Sequence, residues 1–141
     1  MTVREANLEV HRRWNDTYQR EGADAALEIV PEVFAEEAEF SPLLAREVEG
    51  RSYHGHEGIR SFFRELNETL RGVQYETSEY HPVTDEVIVL ITRMTGNPRG
   101  TTPISQDLAL VYEFQDGRVR RLTAYGSLDD ALEAAQEVAR A

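Results

Sequence analysis

The sequence predicts an α+β domain in which helices pack on an antiparallel sheet. Three observations predict it. Apolar residues recur at helical spacing through most of the first half of the chain. The second half carries long runs of β-branched and aromatic residues, broken by Pro and Gly turns. The two kinds of segment are segregated rather than alternating, which separates this pattern from the βαβ units of a parallel sheet. The 141 residues suit one domain, residues 1–141, and a chain this long buries about 68–70% of its unfolded surface without needing a covalent staple.

The elements follow in order. Arg4–Glu21 is the first helix: Val3, Val10, Trp14 and Tyr18 recur at steps of four or seven and share a face, and Gly22 stops it. Ala23–Val30 is a second, shorter helix ended by Pro31. Glu32–Ser41 ends as a strand near Ala38-Glu39-Phe40, and Pro42–Ser52 is a loop with turn chemistry at Glu49-Gly50. The third helix has the clearest pattern. Ile59, Phe62, Phe63, Leu66 and Leu70 fall at i, i+3, i+4, i+7 and i+11, a single buried stripe, with Gly55 to Gly58 at its start and Gly72 at its end. Val73–His81 is a strand stopped by Pro82, Glu86–Thr95 is the next, and Gly96-Asn97-Pro98-Arg99-Gly100 turns into Pro103–Phe114. Gln115-Asp116-Gly117 is a hairpin turn, and Arg118–Tyr125 is the last strand. Ser127 caps a short final helix, with Asp130 three positions on.

Composition excludes several function classes. There is no cysteine, so disulfides, thiol catalysis and thiolate metal sites are excluded. With 15 basic against 26 acidic residues the formal charge is −11, and an acidic surface repels phosphate, so neither nucleic acid nor an anionic membrane is an expected partner. The longest apolar run, Val87 to Ile91, is far shorter than the ~20 residues of a membrane span. The first residues have no apolar signal-peptide core, so cytoplasmic residence is the default expectation. No Gly-rich phosphate loop or dinucleotide fingerprint is present, and no cofactor is expected. His54 and His56 stand two apart beside Glu57 but lack further ligands at usable spacing, so no metal site is expected either.

Two stretches carry a family resemblance. One is Tyr53-His54-Gly55-His56-Glu57-Gly58-Ile59-Arg60 entering the third helix above Phe62-Phe63. The other is Leu110-Val111-Tyr112-Glu113-Phe114-Gln115-Asp116-Gly117-Arg118-Val119, followed by Tyr125 and Asp130-Ala131-Leu132-Glu133-Ala134-Ala135. With the order helix-helix-strand-helix and then a four-stranded meander, the chain resembles the NTF2-like superfamily, and within it the SnoaL-like, polyketide-cyclase-like branch. The resemblance implies a curved antiparallel sheet wrapped around three helices into a cone, with a deep, mostly apolar cavity and a homodimer formed through the outer face of the sheet. The residues agree with that picture. One face of Pro103–Phe114 carries Ile104, Gln106, Leu108, Leu110, Tyr112 and Phe114, which suits a cavity wall; the other carries Ser105, Asp107, Ala109, Val111 and Glu113.

A cone of this kind hosts several reactions, so the fold does not fix the chemistry. Against the ring isomerases that the chain resembles in outline, the base position falls at Ser41, the carboxylic-acid donor near Leu110 and the phenol near Trp14, with Tyr18 one turn away. A serine is not basic at pH 7 and a leucine donates nothing. Against the epoxide hydrolases, Arg93 falls near the arginine, but the two aspartates land near Thr95 and Ala124. A cyclase needs an acid/base group near the cavity floor. His54, His81 and Asp107 are the candidates, but each reads first as something else: His54 as a structural or solvated loop residue, His81 as a surface residue at a strand end, and Asp107 as a dimer-face or rim contact. The expected pocket is therefore Trp14, Tyr18, Phe40, Phe63, Gln106, Leu108, Leu110, Tyr112 and Ala124, with Gln106 and Tyr112 as polar handles for a small, largely apolar molecule. Two functions fit this pocket: a cofactor-free isomerase or cyclase acting by proton transfer, and a non-catalytic binding or dimerisation module.

Overall fold

The computed structural model describes residues 1–43, 52–98 and 102–141. The expected Glu49-Gly50 turn, and the Arg99-Gly100 part of the later turn, lie outside the described residues.

Helix α1 (Val3–Glu21) starts at Thr2, whose hydroxyl accepts from Glu5 N at 3.1 Å, and ends at Gly22, where φ is 95°. Its buried stripe is Asn7, His11, Trp14 and Tyr18, a 4-3-4 spacing that includes two polar residues outside the sequence pattern. Val3, expected on this face, is exposed. The second expected helix is split: α2 (Ala23–Glu28) gives way to a single turn, α3 (Val30–Val33), because Pro31 has no N–H to continue a helix but suits the first positions of a new one.

Strand β1 (Phe34–Ser41) leads through β2 (Tyr53–His54) into α4 (Gly55–Thr69), which buries Ile59 and Phe63. Gly58 is constrained by space: a Cβ there would stand 3.4 Å from the Tyr53 carbonyl carbon. The chain then enters β3 (Leu70–Pro82) directly, followed by β4 (Val87–Pro98), β5 (Ile104–Gln115) and β6 (Arg118–Tyr125). Asp116 and Gly117 both take positive φ, 52° and 78°, as a two-residue hairpin loop requires. Helix α5 (Leu128–Arg140) is capped as expected, with Asp130 N donating to Ser127 Oγ at 3.2 Å.

The sheet has six strands in the order β2-β1-β6-β5-β4-β3. The meander β3 to β6 is antiparallel, but β1 runs parallel to β6, so the sheet is mixed where a purely antiparallel one is expected. The helical segment between β1 and the meander carries the chain back across the sheet, which is how two strands come to pair in the same direction.

Alternation along β4 and β5 divides the interior in two. Ile88, Leu90, Met94, Leu110, Tyr112 and Phe114 face α1 to α4 in the main core, with Leu108 half-buried against it. Val87, Val89, Ala109 and Val111 face the other way and are covered by Ala131 and Ala135 of α5. A strand buried on both faces reads as an unbroken apolar run, which explains Val87 to Ile91. Part of the outer face, expected to be wet or dimer-facing, is thus covered by the chain's own C-terminal helix.

Candidate functional site

The concave side of the sheet gathers most of the expected pocket into one cluster. Trp14 meets Phe34 edge-on with centroids 5.2 Å apart and tilts against Phe63 at 5.3 Å. Phe40 stacks on Phe63 at 5.9 Å, and Tyr18 meets Tyr75 edge-on at 5.2 Å. Leu110 and Ala124 are register partners on β5 and β6 and close the sheet side. These edge-to-face contacts add to the area the rings bury. Tyr18 Oη donates to Asn67 Oδ1 at 3.0 Å, and Asn67 Nδ2 donates to Phe63 O, so the phenol is satisfied and held.

Gln106 does not join this cluster. It has the right parity, yet it is exposed, because Ile104 to Asp107 run beyond the part of the sheet that the helices cover. Of the two expected polar handles, only Tyr112 is inside, at 3% exposure.

The three acid/base candidates lie away from the cluster. His54 is exposed, with Nε2 3.0 Å from Ser52 Oγ. His81 stands 3.4 Å from Glu79 Oε1 near the end of β3. Asp107 is exposed and accepts from Arg93 Nε at 2.9 Å, which holds its carboxyl below the usual aspartate value. Ser41 closes β1. Trp14 and Leu110, where the resemblance to the isomerases would put the donors, carry neither a carboxyl nor a phenol, and Arg93 is exposed beside Asp107.

His11 is the group that sequence reading missed. It is 3% exposed on the core side of α1. Its ring meets Tyr112 edge-on at 5.1 Å and Tyr80 at 5.7 Å, and Tyr80 Oη stands 3.4 Å from Nδ1. Burial, then the neighbouring Arg12 guanidinium, lower the His11 pKa to about 4 against a weaker opposing pull from Asp16. The ring is therefore a neutral imidazole at pH 7. Asn7, one turn earlier, donates Nδ2–H to Asp85 O at 2.9 Å and ties α1 to the β3–β4 turn. The signal for both residues was their place on the Trp14–Tyr18 stripe, at i−3 and i−7 from Trp14.

The phenols of this interior stay protonated. Burial raises Tyr112, Tyr75, Tyr80 and Tyr18, with Tyr80 adding to the effect on Tyr112 and the Asn67 bond opposing it at Tyr18. The site thus presents aromatic carbon, neutral hydroxyls and one neutral imidazole. The chain has neither cysteine nor lysine, so thiolate and side-chain Schiff-base chemistry have nothing to run on. Among the described residues no three His, Asp or Glu side chains are arranged to hold a metal.

A concavity of about 500 Å³ is lined by Gln19, Gln74, Glu76, Arg93 and Thr95, apart from the aromatic cluster. Gln74–Thr95 and Glu76–Arg93 are register partners across β3 and β4, and the lining is polar. It has the wrong surface for an apolar guest.

Residues 11–122 match the family model described as SnoaL-like domain. No functionally curated protein matches the sequence. Solved structures that do match include an NTF2-like protein of unknown function from Burkholderia pseudomallei K96243, 16% identical, with a TM-score of 0.73 over 94% of this chain and 97% of that one. A candidate SnoaL-like polyketide cyclase from Jannaschia sp. CCS1 is 16% identical, with a TM-score of 0.73 over 96% and 94%. RV0760c from Mycobacterium tuberculosis, solved in complex with estradiol-17beta-hemisuccinate, is 17% identical, with a TM-score of 0.71 over 88% and 95%. At these identities the likeness concerns the fold, and the family match rests on the sequence itself. From the middle of α1 into the last strand of the meander, this chain belongs to the SnoaL-like domain family, on an NTF2-like fold.

Proposed function

We propose that the protein binds a small, largely apolar ring compound between α1, α4 and the concave face of the sheet, and acts on it by cofactor-free proton transfer, as an isomerase or cyclase does. One observation carries this reading: a buried, neutral imidazole, His11, stands beside a buried phenol, Tyr112, within a cluster that is otherwise aromatic and aliphatic carbon. Such a wall favours an uncharged guest, since a charge there would lose its hydration without gaining a partner. A perturbed titratable group inside an apolar site is also what proton-transfer chemistry needs. The estradiol hemisuccinate in the M. tuberculosis relative supports a ring-sized guest in this fold. A homodimer through the part of the outer face that α5 leaves uncovered belongs to the same proposal, with sedimentation as its test.

The second reading is a non-catalytic carrier. It is favoured by where buried acid sits: among the described residues the one buried carboxylate is Glu113, which is held by Arg120 and Arg121 on the opposite face of β5 from the aromatic cluster. Hydrogen–deuterium exchange separates the two. A proton-transfer enzyme accelerates exchange of the C–H next to the carbonyl of 1-tetralone in D2O, and His11→Phe removes at least a factor of about 10² of that acceleration. Saturable binding of 1-tetralone with no acceleration leaves the carrier.

A further inference from the structure

We propose, building on the function proposed above, that Tyr80 is the positioning residue of His11: its hydroxyl oxygen accepts a hydrogen bond from Nδ1–H, which leaves the lone pair of the ring on Nε2, where the imidazole takes a proton from the bound ring compound.

An irregularity in β3 brings the two side chains together. Tyr75 and Tyr80 both pack against the main core, and their register partners on β4, Met94 and Leu90, lie in it. Residues five apart fall on opposite faces of a regular strand. The pairing shifts by one residue between Thr77, opposite Thr92, and Glu79, opposite Ile91, so β3 holds one extra residue there. Without that bulge, regular alternation from Tyr75 turns Glu79 inward and Tyr80 outward. Bulges re-aim side chains in this way, and they are over-represented beside functional sites. The re-aimed phenol reaches α1. Its ring stands at 77° to the His11 ring with centroids 5.7 Å apart, and Oη is 3.4 Å from Nδ1.

The partner at one ring nitrogen decides which nitrogen carries the hydrogen of a neutral imidazole. A phenol can donate or accept. Tyr80 is half-buried whereas His11 is 3% exposed, so the phenol hydrogen can turn toward solvent and the oxygen toward Nδ1–H. Arg12, the next residue on α1, lays its guanidinium carbon 5.7 Å from the centre of the Tyr80 ring and helps to hold it. In the proton transfer a C–H bond of the guest breaks, Nε2–H forms, and the electron pair stays on the guest as an enolate. The imidazolium keeps its Nδ1–H on Tyr80, and the 3.4 Å bond tightens as the ring gains charge. Of the charged neighbours on α1, Asp16 favours that charge and Arg12 opposes it. A base whose second nitrogen is held by an acceptor is fixed in tautomer and orientation.

The test uses the full chain with ¹⁵N-labelled histidine at pH 7. A protonated ring nitrogen and a bare one differ widely in ¹⁵N shift, so long-range ¹H–¹⁵N spectra read the tautomer, and His11→Phe identifies the His11 signals among those of four histidines. The expected result is a protonated Nδ1 and a bare Nε2 in the unaltered protein. In Tyr80→Phe, with the fold checked by far-UV circular dichroism, His11 moves toward the Nε2–H form that free histidine prefers. The same variant lowers the maximal rate of 1-tetralone exchange by at least about 10-fold and leaves the half-saturating concentration within about twofold. If Tyr80→Phe fails to fold, the tautomer of the unaltered protein decides. A bare Nδ1 in the unaltered protein, or a tautomer or exchange rate that is the same with and without the Tyr80 hydroxyl, overturns the positioning role and leaves the proposed function standing. No exchange of 1-tetralone by the unaltered protein overturns the two together.

Discussion

The imidazole of His11 and the phenol of Tyr112 meet edge-on, at 5.1 Å between centroids, in the interior between α1 and β5. The contact joins the least expected polar residue of the core to the polar handle that strand parity already indicated. Its consequences for titration, stability and turnover are measurable.

His11 has a pKa of about 4, below its ordinary 6.5, chiefly through burial. Below pH 6.5 the unfolded chain gains a proton at His11 that the folded chain refuses until about pH 4. The unfolded state then binds more protons, so stability falls as pH is lowered through that window. The drop from 6.5 to about 4 corresponds to about 3 kcal/mol at 1.36 kcal/mol per pH unit. Urea denaturation at a series of pH values measures it: the difference between parent and His11→Gln narrows below pH 6.5 and levels off near pH 4.

The acceleration of 1-tetralone exchange follows the same titration. It is independent of pH while His11 is neutral and declines as the ring charges, with an apparent midpoint near 4. A profile that shows no midpoint near 4 would contradict the assignment of the chemistry to His11.

Phe63 supports the aromatic wall from α4, touching Trp14, Tyr18, Phe40, Phe62 and Tyr75. Phe63→Ala removes a ring from the centre of five others. It costs about 3–5 kcal/mol in denaturant titration and weakens 1-tetralone binding with it.

Ser127→Ala removes the N-cap of α5 and costs about 1 kcal/mol. The loss falls on the cover over Val87, Val89, Ala109 and Val111, on the opposite face of the sheet from His11. Exchange of 1-tetralone by the folded variant is therefore unchanged, a separation that stability and activity assays read side by side.

Asp107→Asn leaves the exchange rate within about twofold of the parent, because Asp107 is exposed and its partner Arg93 lies with it outside the cluster.

Much of this was legible in the sequence where one physical rule dominated. The stripe Ile59–Phe62–Phe63–Leu66 specified α4, and the residues Gln115-Asp116-Gly117 specified the hairpin that aligns β5 with β6, where Asp116 and Gly117 do take positive φ. Strand parity correctly separated Leu110 and Tyr112 from Ala109 and Val111. It failed at Gln106 because parity gives the face and not how far the covering helices extend. The parallel pairing of β1 with β6 was not legible, since partner choice depends on where a crossover returns the chain. His11 and Asn7 were missed because a count of apolar spacing passes over polar residues. A buried polar group is recognised by its partners across the fold, Tyr80, Tyr112 and Asp85, which are distant in sequence.

Chemical-shift mapping of tetralin binding on selectively ¹³C-labelled protein tests the binding proposal most directly. The expected result is saturable shifts at Trp14, Phe63, Leu110 and Tyr112, with Gln19, Gln74 and Thr95 unmoved. Shifts confined to those last three residues, or no saturable shift at all, would contradict a guest site on the concave face.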